Sequence, residues 1–222
     1  MKKMTVSLLV LLALCMALPA SAQVNLGVLG GLNLANLDVD PEPETWKKKS
    51  NRTAFGFGGV LDYSLNESIA LRLEPMYLQK GAIIEDTGEG NMIYEIEWKG
   101  AYLEIPMLVK YSFGASDIKP YIIAGPTIGF NLSAKAKFTM GDFSEEDDVK
   151  DDTKSTDFGL GFGAGMSLPM GNNSIFIEAR YALGLTNIED GSQSDPEDNT
   201  ESETKTKGIQ IFAGITFPLG SK

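Results

Sequence analysis

Apolar and polar residues alternate along most of the chain with a repeat of two, and no helical repeat of 3.6 residues follows residue 22. Alternation over about ten residues is typical of a β-strand with two different faces. Eight segments show it and predict eight strands. These are residues 25–36, 53–63, 68–80, 101–113, 120–132, 157–168, 174–185 and 207–217.

The connections between these strands are alternately long and short. The long ones are residues 38–51, 85–100, 135–156 and 187–206, and the short ones are 64–67, 114–119 and 169–173. Four long loops therefore lie at one end, and three short turns lie at the other with both termini. Bacterial transmembrane barrels have this layout, and strands of about ten residues cross a bilayer at a tilt. We predict an all-β fold, an eight-stranded antiparallel transmembrane β-barrel with no unpaired edge in lipid.

The second long loop carries its own alternation. Apolar and charged residues alternate over 94–99, but there the charged positions are odd-numbered, whereas Glu104 and Lys110 are even-numbered. A slip of one residue near Gly100 would reconcile them, so we predict a β-bulge there and a hairpin that projects beyond the membrane. An ordinary ordered loop is the alternative.

Residues 1–22 have the pattern of a cleavable secretory signal peptide. Two lysines precede an apolar run, and an Ala-Ser-Ala cleavage pattern closes it. The run is short for a transmembrane anchor, which is the alternative. Cys15 lies within it, so the exported chain has no disulfide. The predicted barrel domain is residues 23–222.

The composition removes several classes of function. Asp and Glu number 30 against 19 Lys and Arg, a net charge of −11, and the chain has no histidine. The acidic balance argues against nucleic-acid binding. Without histidine or a retained cysteine there is no Ser-His-Asp or Cys-His unit and no imidazole metal ligand. We expect no enzyme activity, no catalytic residues, no cofactor and no metal site.

Charged residues on the polar faces predict a network inside the barrel. An eight-stranded interior is just wide enough to be filled by side chains, and the third and seventh predicted strands face each other across it. The charges sum to zero, as expected for buried ions that must be paired. The predicted lumen network is Arg72, Glu74, Glu104, Lys110, Glu178 and Arg180. Facing the same lumen we expect a stripe of small residues, Gly159, Gly161, Gly163 and Gly165.

The opposite faces predict the lipid-facing surface. The residues expected to point outward, because their neighbours are charged, are Leu71, Leu73, Ile105, Met107, Ile177 and Ala179. Aromatic residues near the short-turn ends predict an interfacial girdle. These are Tyr63, Tyr111, Phe113, Tyr121, Phe176 and Phe217.

Two tracts in the long loops, residues 141–157 and 189–203, are strongly acidic. Carboxylate oxygens suit Ca²⁺, but no EF-hand spacing is present. We interpret them as solvated, mobile loops that prevent aggregation, with Ca²⁺ binding as the alternative.

A series of short motifs resembles a known family in its order and spacing. The motifs are GVLGGLNL at 27–34, QKG at 79–81, YLEIP at 102–106, KPY at 119–121, GP at 125–126, RY at 180–181 and GLTN at 184–187. Together they resemble the PorT-type outer-membrane β-barrel proteins of Bacteroidota. The chain departs from many such barrels at its end, where Phe217 is followed by five more residues.

The resemblance implies an eight-stranded barrel in the outer membrane, but no single activity. PorT itself is associated with protein secretion across that membrane, and fold alone does not transfer this role. We expect a small, monomeric outer-membrane protein with a structural or envelope-assembly role. Its expected partners are outer-membrane lipid and envelope or secretion proteins. The alternative is a transport or ligand-binding barrel, and an outer-membrane enzyme is disfavoured by the missing histidine.

Overall fold

The computed structural model describes residues 23–87, 92–114, 118–190 and 203–219. The predicted signal peptide lies outside this range. Among the described residues, none of the helices has the length and apolar character needed to span a membrane. The strands are β1 (Val24–Asp40), β2 (Trp46–Ser64), β3 (Ile69–Leu73), β4 (Met76–Thr87), β5 (Ile93–Ser112), β6 (Lys119–Met140), β7 (Phe143–Asp148), β8 (Thr156–Met170), β9 (Asn173–Gly184) and β10 (Glu203–Leu219).

These antiparallel strands close into a ring of eight. β1 pairs with both β2 and β10, which joins the two ends of the sheet. β3 and β4 are two parts of one ring strand, because both pair with β2 and with β5. They are separated only by Glu74 and Pro75, and these two residues keep the hydrogen bonding continuous: Glu74 N donates to Pro106 O at 3.2 Å, and Gly59 N donates to Pro75 O at 3.0 Å. The predicted eight-stranded all-β barrel is confirmed, and β7 is an addition outside the ring.

Several strands extend past their predicted ends on the side of the long loops. β4 and β5 pair up to Thr87 and Ile93, so the predicted projecting hairpin is confirmed and the ordinary loop is wrong. β6 continues to Met140 and turns back into β7. In these extensions both strand faces carry polar residues, so the alternation that marks a strand inside the membrane is weaker.

The predicted bulge near Gly100 needs correction. The register shift lies between Ala101 and Tyr102, and their partners on β6 leave Leu132 as the additional residue. β5 itself therefore does not slip. Its even-numbered residues stay inside, and Trp98 packs there against Leu37 and Ile188.

The outer surface carries a continuous apolar belt. The predicted outward residues lie in it, with Leu71, Leu73, Met107 and Ile177 exposed and Ile105 and Ala179 on the same faces. On β1 the belt runs from Leu26 to Leu34, about 27 Å along a strand at about 3.4 Å per residue. Tilt by about 40° reduces this to roughly 20 Å, close to the apolar band of outer-membrane barrels.

The predicted aromatic girdle is correct only in part. Tyr111, Phe113 and Phe217 are exposed on the outer surface. Tyr121 and Phe176 instead point into the barrel, because they share a strand face with inward residues such as Glu178. Tyr63 is buried as well. Position near a strand end therefore did not determine which face an aromatic residue occupies.

Candidate functional site

Charged side chains fill the interior near the short-turn end, and Arg72 lies at their centre. Its Nε and Nη2 donate to the two carboxylate oxygens of Asp62 at 2.6 and 2.7 Å. Its Nη1 donates to Glu178 Oε2 at 3.1 Å. The Arg72 side chain is fully buried. A planar guanidinium suits this arrangement because it presents several donors in a fixed fork.

Arg180 forms the second centre of the same group. Its Nη2 donates to Glu74 Oε2 at 2.7 Å and also pairs closely with Glu178. The Tyr121 hydroxyl donates to Glu178 at 2.7 Å, and Lys110 joins through Asp62 at 3.5 Å. We call Asp62, Arg72, Glu74, Lys110, Glu178 and Arg180 the lower cluster; its three acids and three bases sum to zero charge.

The topology explains why these residues meet. β3 and β9 are third and seventh in the ring, so they face each other, and Arg72 reaches Glu178 across the lumen. β8 makes room with glycine. A Cβ on Gly163 would lie 2.6 Å from Arg180 Cβ, and one on Gly165 would lie 2.5 Å from the Tyr121 ring. The predicted inward glycine stripe is thus observed.

Aromatic rings line the cations of the lower cluster. The Arg72 guanidinium lies 4.7 Å from the Phe176 ring centroid, and that of Arg180 lies 5.3 Å from Phe212. Lys110 Nζ lies 4.5 Å from the Tyr121 centroid. Such contacts stabilise a desolvated cation through the ring quadrupole. They also pack the space between the charges with apolar atoms.

A second group lies closer to the long loops. Lys80 Nζ is 2.5 Å from Glu104 and 3.0 Å from Asp157, and the Thr206 hydroxyl donates to Asp157 at 2.8 Å. We call Lys80, Glu104 and Asp157 the upper cluster. Two carboxylates face one ammonium, so its formal charge is −1.

Several polar atoms around the upper cluster have no hydrogen-bond partner among the described residues. They are Asp157 Oδ1, the Tyr102 hydroxyl and both side-chain amide atoms of Asn131. Tyr102 and Asn131 are directly opposite each other on β5 and β6. All three residues are buried. A buried polar atom without a partner is costly, so this level of the lumen is suited to water or a small polar molecule.

The structure brings together most of the predicted lumen residues, but not all. Arg72, Glu74, Glu178 and Arg180 contact one another, and Lys110 is linked to them through Asp62. Glu104 does not join them, because it lies higher and pairs with Lys80.

Sequence reasoning missed three charged partners: Asp62, Lys80 and Asp157. A signal for two of them was present, since Asp62 and Lys80 lie on the polar faces of their predicted strands. Asp157 was assigned to an acidic loop, although it has the same parity as the inward glycines of β8.

The first acidic tract is partly an ordered strand, which corrects the prediction of a mobile loop there. β7 pairs with β6, and Glu146 accepts hydrogen bonds from Lys135 and Lys99, both at 2.8 Å. These bonds, Lys135 first, lower the pKa of Glu146 from 4.5 to about 2. Part of the second tract, residues 191–202, lies outside the described residues. In the part of the chain that is described, no group of three or more acidic, Cys or His side chains is arranged to hold a metal ion.

The sequence matches a family model over residues 19–190, more than half of the chain, and that model is the outer membrane protein β-barrel domain. The chain belongs to this family. Membership and the closed ring of antiparallel strands together place the protein in the outer membrane.

Solved structures of outer-membrane proteins share the fold. A major outer membrane protein from Thermus thermophilus is 9% identical, covers 90% of this chain and 100% of its own, and has a TM-score of 0.52. Neisserial surface protein A is 16% identical over 89% of this chain and 98% of its own, with a TM-score of 0.45. Among curated proteins, none matches this sequence. At these identities the likeness concerns the fold alone, and it is the Thermus structure that supports it.

Proposed function

We propose that this protein is a small structural or envelope-interaction barrel whose lumen is closed to ions and solutes. The observation that carries the proposal is the lower cluster. Glu74, Glu178 and Arg72 have no exposed side-chain surface, and their ion pairs join opposite walls of the barrel. Breaking buried ion pairs of this kind has a high free-energy cost, because it leaves uncompensated charges in the interior. A barrel of this kind acts through its ends rather than through its centre.

We further propose that the long-loop end faces the cell surface. Outer-membrane barrels place short turns in the periplasm and longer loops outside, and the two projecting hairpins lie on the long-loop side. Protease added to intact cells should then cut within the acidic loops. Cleavage that requires opening of the outer membrane would reverse this orientation.

The resemblance to PorT-type barrels of Bacteroidota supports an envelope role in a finer sense. It is carried by motifs such as YLEIP at 102–106 and KPY at 119–121. We propose membership of that subgroup, a monomeric state in outer-membrane lipid and contact with other envelope proteins. A secretion role would need a direct secretion defect in a deletion strain, because fold does not transfer activity.

The second candidate is a transport or ligand-binding barrel. It is favoured by the unpartnered polar atoms around the upper cluster, which offer carboxylate, amide and hydroxyl groups. A small polar ligand held there from the long-loop side would satisfy them.

Purification from native outer membranes separates the two candidates. The structural role predicts a protein partner in a fixed ratio after crosslinking in intact cells, with no small molecule retained. The ligand-binding role predicts a bound small molecule by native mass spectrometry and a loss of that mass when Asn131 is replaced by leucine. A retained small molecule without any protein partner would overturn the first candidate.

A further inference from the structure

The hairpin of β6 and β7 leaves one strand at the edge of the sheet. β7 (Phe143–Asp148) pairs with β6 and with no other described strand, and all of its residues are exposed. It lies on the long-loop side, beyond the apolar belt. An edge strand presents unpaired backbone N–H and C=O groups, which are a template for another strand.

The hydrogen-bond pattern shows which backbone groups are free. Val149 donates to the carbonyl of Ala134 at 3.0 Å, which continues the β6–β7 ladder. Because hydrogen-bonded pairs recur every second residue in an antiparallel ladder, the odd-numbered residues of β7 bond to β6. The backbone groups of Ser144, Glu146 and Asp148 therefore point away from β6, toward the open side.

The side chains give this edge a chemical pattern. Phe143, Glu145 and Asp147 share one face. Phe143 is 53% exposed, and neither acid has an ion-pair partner among the described residues. On the other face Glu146 is held by Lys135 and Lys99. The free face therefore presents one apolar and two acidic side chains, each two residues apart.

We propose that the open edge of β7 binds an extended, basic segment of another protein, which adds to the sheet as a further strand. Main-chain hydrogen bonds supply affinity in such strand addition, and alternate side chains supply specificity. An antiparallel segment would place basic residues opposite Asp147 and Glu145 and an apolar residue opposite Phe143. The partner pattern is thus basic-x-basic-x-apolar. The inference rests on the proposed function, since it names the partner class of the long-loop end.

The charge of β7 favours a basic segment over the two acidic candidates for this edge, which are a second copy of β7 and another part of the same chain. A second copy of β7 would set Glu145 and Asp147 against acidic residues, and like charges directly opposite each other are destabilising. Residues 191–202 of the same chain contain four acids and no base, so they are repelled as well. A basic extended segment satisfies both the hydrogen-bonding edge and the unpaired acids.

The test uses the full-length protein in lipid nanodiscs and a fluorescent peptide, Thr-Lys-Thr-Lys-Thr-Leu-Thr. We expect saturable one-to-one binding by fluorescence anisotropy. Amide exchange at the even-numbered residues of β7 should slow on binding. A peptide with proline in place of the threonine between the lysines keeps every charge but loses the central donor, and it should bind at least about ten-fold more weakly, as lost strand hydrogen bonds imply.

Two variants of the protein provide the matched comparison. E145K/D147K should weaken binding about ten-fold or more, because attraction becomes repulsion at two cross-strand pairs. D151K/D152K makes the same change in net charge in the following turn. It should leave affinity within about two-fold, because exposed charges that are not paired across the strands are screened by salt. S144P removes a donor on the open edge without touching the β6 ladder, and it should also weaken binding about ten-fold or more.

Equal binding of the proline peptide, or equal losses in D151K/D152K and E145K/D147K, would show diffuse charge attraction and overturn the inference. Absence of peptide binding would overturn it as well. Neither result affects whether the lumen is closed, which is measured separately by conductance. An open channel in a protein that still binds the peptide would overturn the proposed function and leave this inference in place.

Discussion

The lower and upper clusters occupy the same lumen and differ in how completely their carboxylate oxygens are satisfied, although Arg180 Nε and Nη1 of the lower cluster have no partner among the described residues. In the lower cluster both oxygens of Asp62, Glu74 and Glu178 accept from a cation or a hydroxyl. In the upper cluster Lys80 alone serves Glu104 and Asp157, and one oxygen of Asp157 has no partner. The lower cluster is neutral, and the upper cluster carries a formal charge of −1.

The difference follows from the chemistry of the two cations. Each guanidinium offers five donors in a rigid plane and can join several carboxylates, whereas an ammonium is a compact point charge with three donors. Arg72 and Arg180 can therefore link three strands of the ring at the same depth in the lumen, because each donates hydrogen bonds to carboxylates on other strands. Lys80 does not bond to neighbouring polar groups such as the Asn131 amide, which has no hydrogen-bond partner among the described residues. The lower level is suited to closing the barrel, and the upper level to holding water.

The largest expected effect comes from removing one cation of the lower cluster. Arg180→Met should lower the free energy of unfolding by about 3–5 kcal/mol, because it leaves Glu74 and Glu178 as buried charges with one arginine between them. Urea unfolding in lipid vesicles measures it. Arg52→Met is the matched control, since the Arg52–Glu97 pair is partly exposed and should be worth about 1 kcal/mol or less. Equal losses in both variants would contradict the central role of the lower cluster.

A smaller effect is expected in the upper cluster. Lys80→Met should lower the free energy of unfolding by about 1–3 kcal/mol, because Glu104 and Asp157 lose their shared cation while the Thr206 hydroxyl still donates to Asp157. Adding E104Q and D157N to this variant should restore most of the loss. If the triple variant is no more stable than the single one, Lys80 acts through packing on Tyr102 rather than through charge.

Replacing Asn131 should change the free energy of unfolding even less than replacing Lys80, and this comparison tests whether the upper level of the lumen holds a ligand. Its amide has no partner among the described residues, so Asn131→Leu should change the free energy of unfolding by about 1 kcal/mol or less. The same urea titration measures it. A loss as large as that of Lys80→Met would mean that Asn131 is bonded to a resident molecule, which favours the ligand-binding alternative.

The smallest effect concerns the projecting hairpin, outside the lumen. The bonds from Lys135 and Lys99 lower the pKa of Glu146 from 4.5 to about 2. Since the folded pKa is the lower one, the stabilisation is complete above pH 4.5 and is lost as the pH falls toward 2. An NMR titration of the Glu146 carboxyl carbon should show its midpoint near 2. Lys135→Met should move the midpoint upward, whereas Lys137→Met, which removes an equal charge without a direct bond, should move it less.

The fold could be predicted from sequence wherever a strand separates lipid from lumen. Alternation there is strong, because residues such as Leu71 and Arg72 must face opposite environments. Beyond the belt both faces meet water, so the pattern weakens, and β7 was missed within an acidic tract. The break between β3 and β4 at Pro75 was not predicted either, since the alternation of the two segments continues across it.

The lumen residues could be predicted by parity, but their grouping could not. The even position of Glu104 in its strand predicts that its side chain faces the lumen. Which residue it pairs with depends on the register between neighbouring strands, which sets its depth in the barrel. Register along β4 and β5 sets Glu104 beside Met76 and brings it within reach of Lys80. No local pattern encodes that register, because hydrogen bonds between distant segments determine it. The same argument applies to Asp62, whose partner Arg72 follows from the β2–β3 pairing.

Conductance of the purified protein in planar bilayers tests the central claim most directly. If the lower cluster closes the barrel, the unmutated protein should show no steady ion current at any applied voltage that the bilayer tolerates. The variant R72A/R180A, if it still folds, should show a measurable leak, because the carboxylates of Glu74 and Glu178 would then repel each other and admit water. A stable, ion-selective current through the unmutated protein would contradict the claim and make transport the preferred function.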